Sequence, residues 1–156
     1  MPSQVDAMLE IRPAQRADLA AILALHAELE FDAERAVLDL RSAEKLFDRI
    51  ASYPSYKLYV ASSAEKIVGT FALLIMDNLA HLGAPSGIVE DVVVHPEYQG
   101  LGIGKQMMQF AMERCKQAGC YKLALSSNAK REQAHQFYEN LGFEKHGYSF
   151  LISLSP

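Results

Sequence analysis

The chain has 156 residues, 50% hydrophobic and 22% charged, with 9 Gly, 6 Pro, 2 Cys and no Trp, which is enough to bury one continuous core and excludes disordered, collagen-like and disulfide-stapled classes. Lys and Arg total 15 against 19 Asp and Glu, and the net charge of −4 argues against a nucleic-acid partner. The longest apolar stretch, Ile67 to Met76, is interrupted by Gly69 and Thr70 and is far shorter than the roughly 20 residues that cross a bilayer, while Met1 to Glu10 has neither a basic nor an apolar leader segment, so a cytoplasmic protein without a membrane partner is expected.

No repeat, low-complexity run or linker divides the chain, which predicts a single domain over 1–156. Leu9 to Arg12 is a short strand candidate. Asp18 is placed to cap a helix whose apolar positions Leu19, Ile22, Leu23, His26 and Leu29 recur at helical spacing. A second helix is predicted from Glu34 to Ala51, with Val37, Leu40, Leu46, Phe47 and Ile50 as its apolar positions, ending before Pro54. Tyr56 to Ala61 and Ile67 to Leu74 are rich in β-branched and aromatic residues and flank the polar stretch Ala64-Glu65-Lys66, which predicts a hairpin. After Gly83, Pro85 and Gly87, the run Ile88 to Val94 predicts a central, doubly buried strand closed by Pro96. A helix follows from Ile103 to about Ala118, with Ile103, Met107, Phe110 and Ala111 on one face and Gly119 as its stop. Tyr121 to Leu125 is a strand, Ala134 to Leu141 a short helix ended by Gly142, and Tyr148 to Leu154 a last strand. The order β-α-α-β-β-β-α-β-α-β is that of an α/β domain with a mixed sheet flanked by helices.

Tyr98-Gln99-Gly100-Leu101-Gly102-Ile103-Gly104-Lys105, between a strand and a helix, is suited to holding an anion. Glycines allow a tight turn with N–H groups facing outward, and the helix start adds unpaired donors and about half a positive charge. The dinucleotide pattern G-x-G-x-x-G fails, because it would require glycine at Lys105 or Met107; a P-loop fails because Gln106 follows Lys105 and Gln99 occupies the earlier glycine position.

What fits is Gln/Arg-x-x-Gly-x-Gly/Ala, at Gln99, Gly102 and Gly104, with Ala134-His135-Gln136-Phe137-Tyr138-Glu139-Asn140-Leu141-Gly142-Phe143 downstream as A-x-x-F-Y-x-x-x-G-F. Together these motifs and the element order make the chain resemble the GNAT family of acyl-CoA N-acyltransferases. The resemblance implies that Gln99, Gly100, Leu101, Gly102, Ile103, Gly104 and Lys105 hold the pyrophosphate of acetyl-CoA, and that the strand edge at Val92, Val93 and Val94 pairs with its pantetheine arm. It also implies that the central strand splays from its neighbour beside the thioester, that Asn128 contacts pantetheine, and that Lys130 and Arg131 either reach CoA phosphates or are solvated. Acetyl-CoA is then a co-substrate, and no metal is expected, since no His, Cys, Asp and Glu cluster has ligand spacing. Homodimers are common in the resembled family, and oligomeric state stays open.

An amine attacks a thioester only when neutral, so a base must take one proton, and the departing thiolate gains from a donor. The resemblance gives Tyr138 the donor's role. Glu90 and Asp91 are the base candidates, Glu90 first, because carboxylates inside a β-branched run are costly to bury without purpose. Regular alternation puts Glu90 on the face of Val92 and Val94, and Asp91 on that of Val93. His81, in the loop before this strand, is an alternative base. The acidic surplus lies before Leu79, and the run Glu28, Glu30, Asp32 and Glu34 falls between two helices that in the resembled family line the acceptor pocket; it is either a solvated turn or a selector of cationic amines through Glu30 and Asp32. Cys115 and Cys120 lack C-x-x-C spacing and read as reduced, small hydrophobes.

Two narrower resemblances diverge. Ile88-Val89-Glu90-Asp91, Tyr98-Gln99-Gly100 and Gly119-Cys120-Tyr121-Lys122 resemble glucosamine-6-phosphate N-acetyltransferases, whereas Leu125-Ser126-Ser127-Asn128-Ala129-Lys130-Arg131 with Ala134-His135 resembles aminoalkylphosphonate N-acetyltransferases. The implied activity is transfer of acetyl to a primary amine of a small molecule, by direct attack in a ternary complex. A protein or peptide acetyltransferase and a catalytically silent CoA-binding regulatory domain are the alternatives.

Overall fold

A computed structural model describes residues 9–29 and 38–154. Strands β1 (Leu9–Pro13), β2 (Tyr56–Ser63), β3 (Lys66–Met76), β4 (Ser86–Val94) and β5 (Lys122–Ala124) form one sheet in the order β1-β2-β3-β4-β5. All neighbours pair antiparallel except β4 and β5, which are parallel, so the sheet is mixed as expected. Helices α1 (Leu19–Ala27), α2 (Leu40–Ala51), α3 (Ile103–Gln117) and α4 (Glu132–Asn140) complete the described elements. The chain forms two compact units, with the boundary between Ala124 and Leu125.

In the first unit, alternation along β2 sends Val60 to one face and Tyr59 to the other. Val60 packs with Leu19 and Ile22 of α1, flanked by Phe47 and Ile67. Tyr59 stacks on Phe71 of β3 at 5.2 Å, and Phe110 of α3 meets Tyr59 edge-on at the same distance. Gly69 lets α3 approach this second face, because a Cβ there would lie 2.8 Å from the Met107 sulfur. The β2–β3 hairpin turns at Ala64 and Glu65, both at positive φ. Asp18 does not cap α1. It turns back to accept two bonds from Arg12 of β1, at 2.7 and 3.0 Å, and one from the Gln15 N–H, so an ion pair outcompetes the cap and ties β1 to the start of the helix. Leu25 is fully buried on α1, while Leu23 and His26 are half-buried.

The second helix starts at Leu40 rather than Glu34, because Asp39 caps it by accepting from the Ser42 N–H at 2.9 Å; residues 34–37 lie outside the described residues. Leu40 and Leu46, expected on its apolar face, are exposed, and Ala43 is buried instead. β5 is trimmed to three residues, and Gly119 and Gly142, both at positive φ, follow α3 and α4 as expected. In the second unit, the predicted strand Tyr148 to Leu154 is absent. Its β-prone residues acquire strand form only when a neighbour supplies hydrogen bonds, and Tyr148, Phe150, Leu151, Ile152 and Leu154 are largely exposed.

Candidate functional site

The site begins with an interruption in β4. β3 pairs Ala72 with Glu90 but Thr70 with Val93, so Phe71 alone opposes both Asp91 and Val92. This is a β-bulge, an extra residue that breaks the two-residue alternation. Asp91 carries it at φ +53°, the left-handed region that Asp tolerates better than most residues. Glu90 and Val93 therefore share the face of Ala72 and Thr70, which is also the face of Val60 and α1. The expectation that Glu90 lies with Val92 and Val94 fails because the bulge resets the alternation. Nor are the carboxylates buried: Glu90 and Asp91 are exposed. The Glu90 carboxyl is nonetheless held above the ordinary carboxylate range, first by partial desolvation and then by the negative charge of Asp91.

β5 pairs with β4 only from Ser86 to Ile88. Over the remaining six residues of β4, through Val92, Val93 and Val94, no strand among the described residues takes that edge. Beyond it the chain makes one tight turn, Pro96–Tyr98, and the Gln99 side-chain amide donates to the Val94 carbonyl at 3.1 Å, tying the glycine loop to the strand end. Gly100 and Gly102 lie at φ +77° and +84°. Gly102 is the N-cap of α3 and has no side chain with which to cap that helix end. The Gln106 N–H donates to the Gly102 carbonyl at 3.1 Å, so the N–H groups of Ile103, Gly104 and Lys105 precede the first helical bond. Nothing lies within 4 Å of where a Cβ would stand at Gly100 or Gly102. The loop is an open cradle of amide donors at the positive end of a 15-residue helix, with Leu101 and Lys105 exposed beside it.

In the second unit, Asn128 organises the approach to α4. Its side-chain oxygen accepts from the Lys130 N–H at 2.9 Å, and its carbonyl accepts from the Arg131 N–H at 3.0 Å. The His135 ring nitrogen Nε2 bonds the same carbonyl at 2.8 Å. In the sequence His135 stands out only through the Ala134-His135 resemblance to aminoalkylphosphonate N-acetyltransferases, and its bond to Asn128 has no signal there beyond a histidine in the first turn of a helix that follows a turn-forming Asn. Tyr138 is half-buried on α4, edge-on to Phe137 at 5.1 Å and Phe143 at 5.6 Å. Burial pushes its hydroxyl pKa up, opposed by the positive charge of Arg131.

His81 lies in the exposed loop before β4, at φ +54°, with its ring stacked on Tyr121 at 4.0 Å. Glu30 and Asp32 lie outside the described residues. Among the described residues, no three His, Cys, Asp or Glu side chains are grouped to hold a metal ion, and no helix is long and apolar enough to cross a membrane. The structure thus gathers the carboxylates, the open β4 edge and the glycine cradle along β4 and its sequel, and sets Asn128, Lys130, Arg131 and Tyr138 around the start and body of α4.

The pattern of the acetyltransferase (GNAT) family matches residues 22–143. The chain is 32% identical over 146 residues to the glucosamine 6-phosphate N-acetyltransferase of Trypanosoma brucei brucei, covering 94% of this chain and 96% of the relative. It is 30% identical over 145 residues to the aminoalkylphosphonate N-acetyltransferase of Salmonella typhimurium, covering 93% and 91%. The crystal structure of glucosamine-6-phosphate N-acetyltransferase from Arabidopsis thaliana matches with a TM-score of 0.82 at 24% identity, over 94% of this chain and 99% of that one, a likeness of fold. A mixed sheet with an open fourth strand leading into a glycine-capped helix, matched by sequence along most of its length, places this chain in the GNAT family, as an N-acetyltransferase.

Proposed function

We propose that this chain transfers the acetyl group of acetyl-CoA to a primary amine of a small molecule, by direct attack in a ternary complex. The observation that carries the reading is the cradle at Gly102–Lys105: three N–H groups ahead of the first helical bond, following a strand whose outer edge no strand among the described residues takes beyond Ile88. The amides of Ile103, Gly104 and Lys105 bind the pyrophosphate, and the β4 edge at Val92–Val94 receives the amide-bearing pantetheine arm as a strand would be received.

In the chemical step the amine nitrogen forms a bond to the acyl carbon, the carbon–sulfur bond breaks, and its electron pair leaves on sulfur. Glu90, with Asp91 raising its basicity, takes the proton that the ammonium group must lose, directly or through water. Tyr138, whose raised pKa keeps it protonated near neutrality, supplies the proton to the thiolate. Asn128, Lys130 and Arg131 are assigned to the cofactor's pantetheine and phosphates. The reaction is proposed for the cytoplasm, with neither nucleic acid nor lipid required.

The test is CoA release from acetyl-CoA across a panel of amines, beside the thermal midpoint at saturating acetyl-CoA. Release with an amine and a raised midpoint are expected, since a ligand held by the native state stabilises it by mass action. Binding without release for any amine or lysine peptide marks a silent CoA-binding domain, and no midpoint shift removes the cofactor assignment itself.

A further inference from the structure

A cavity of about 470 Å³ opens in the first unit where α2 gives way to β2, lined by Tyr53, Pro54, Ser55, Tyr56, Leu74, Ile75, Met76 and Asp77. Its position relative to the carboxylates follows from the register. Tyr56 pairs with Leu74 and Leu74 with Ile88, and Glu90 lies two residues further along β4 on the same face. The negative charges of Asp91 and Glu90, after burial, help push the Tyr56 hydroxyl pKa up, so both carboxylates act on this cavity's wall.

The chemistry of the lining is one-sided. Tyr53 and Tyr56 present two rings with centroids 6.4 Å apart, tilted by 53°. Among the described residues, Asp77 is the one charged member of the lining, with no Lys, Arg or His beside it. Lys57 and Arg114 line an adjoining cavity of about 400 Å³, which shares Pro54, Ser55 and Ile75 with this one and reaches Tyr59 and Leu73 on the α3 face. Aromatic rings beside carboxylates attract an ammonium group and repel a phosphate. Glu90 stands opposite Ala72, and Asp77 comes five residues later, just past the end of β3 at Met76, so about 16 Å of extended chain separates the two ends. That span suits amines separated by several methylenes.

We propose that this cavity is the acceptor subsite and that it selects an aliphatic polyamine, one ammonium held by Tyr53, Tyr56 and Asp77 while the other nitrogen is presented to Glu90. This rests on the acetyl-transfer reading and departs from the phosphate- and phosphonate-bearing acceptors in the names of the two relatives.

Spermidine, glucosamine 6-phosphate and 2-aminoethylphosphonate are compared with acetyl-CoA by steady-state kinetics, and spermidine binding to the enzyme–CoA complex is measured by calorimetry. Spermidine is expected to exceed both anionic amines at least tenfold in kcat/KM. Tyr53→Ala and Asp77→Asn, both at exposed positions, should each weaken spermidine binding and raise its KM about three- to tenfold, while acetyl-CoA still raises the thermal midpoint. A higher kcat/KM for either anionic amine overturns the proposal, as does unchanged spermidine affinity in both variants. If no amine releases CoA, the transfer reading fails separately, and calorimetry with the two variants still decides the subsite.

Discussion

In the proposed reaction Tyr138 and Glu90 face opposite demands, one having to keep its proton near neutrality and the other to lack it. Tyr138→Phe removes a hydroxyl and keeps the ring that packs on Phe137 and Phe143, so acetyl-CoA binding should persist while kcat falls about 10²-fold. Glu90→Gln should be most impaired near neutral pH and partly rescued at higher pH, where more amine is already neutral; Tyr138→Phe should gain nothing there. A Glu90→Gln rate profile with the wild-type shape at every pH assigns Glu90 a structural role. With Glu90 as the proposed base, its raised pKa predicts that activity rises as pH climbs through it. Asp91→Asn removes a like charge, makes Glu90 easier to ionise and should move the acid limb of kcat/KM to lower pH. The residue types of this pair were legible in the sequence because carboxylates interrupt a β-branched run. Their facing was not, because a bulge resides in a backbone angle, and Asp at φ +53° leaves no mark in composition.

At the scale of elements, the glycine cradle makes two substitutions diverge. Gly102→Val forces a side chain into φ +84° and should cost about 1–2 kcal/mol of stability. Gly104→Asp puts a better helix former and a negative charge in the first turn of α3, which should raise the unliganded midpoint by the equivalent of about 1 kcal/mol. Both should abolish the acetyl-CoA-induced midpoint shift, the first by crowding the cradle and the second by repelling the pyrophosphate, so binding and stability part company in Gly104→Asp. The Arg12–Asp18 pair fastens β1 to the start of α1 with Asp18 7% exposed. Asp18→Asn should lower stability by about 2 kcal/mol in thermal melts. Because Arg12 lowers the Asp18 pKa below its unfolded value of 3.8, that contribution is present above this pH and is lost as pH falls through the lowered value. The hairpin, α3 and its stop at Gly119 were readable because local periodicity and turn chemistry determine them. The start of α2 and the fate of Tyr148–Leu154 were not, since one depends on which of several acidic residues caps the helix and the other on whether a partner strand is at hand.

For the whole molecule, element order and family were the most legible quantities, being carried by two motifs and a repeating pattern rather than by any single contact. The proposed acceptor subsite was the least legible, because the cavity walls come from residues at Tyr53–Tyr56 and Leu74–Asp77 that only strand pairing brings together. The β4 edge that no strand among the described residues takes has a further consequence, for solubility. An open row of backbone donors and acceptors ending in Val92-Val93-Val94 is a template on which another chain can stack, and proteins guard such edges with bulges and charge. Here Glu90 and Asp91 provide the charge and Asp91 the bulge, so the groups proposed to serve the reaction are expected to keep unliganded copies apart as well. Asp91→Val, which removes a charge and disfavours the left-handed backbone, should yield concentration-dependent oligomers in light scattering, and saturating acetyl-CoA, by occupying the edge, should dissolve them.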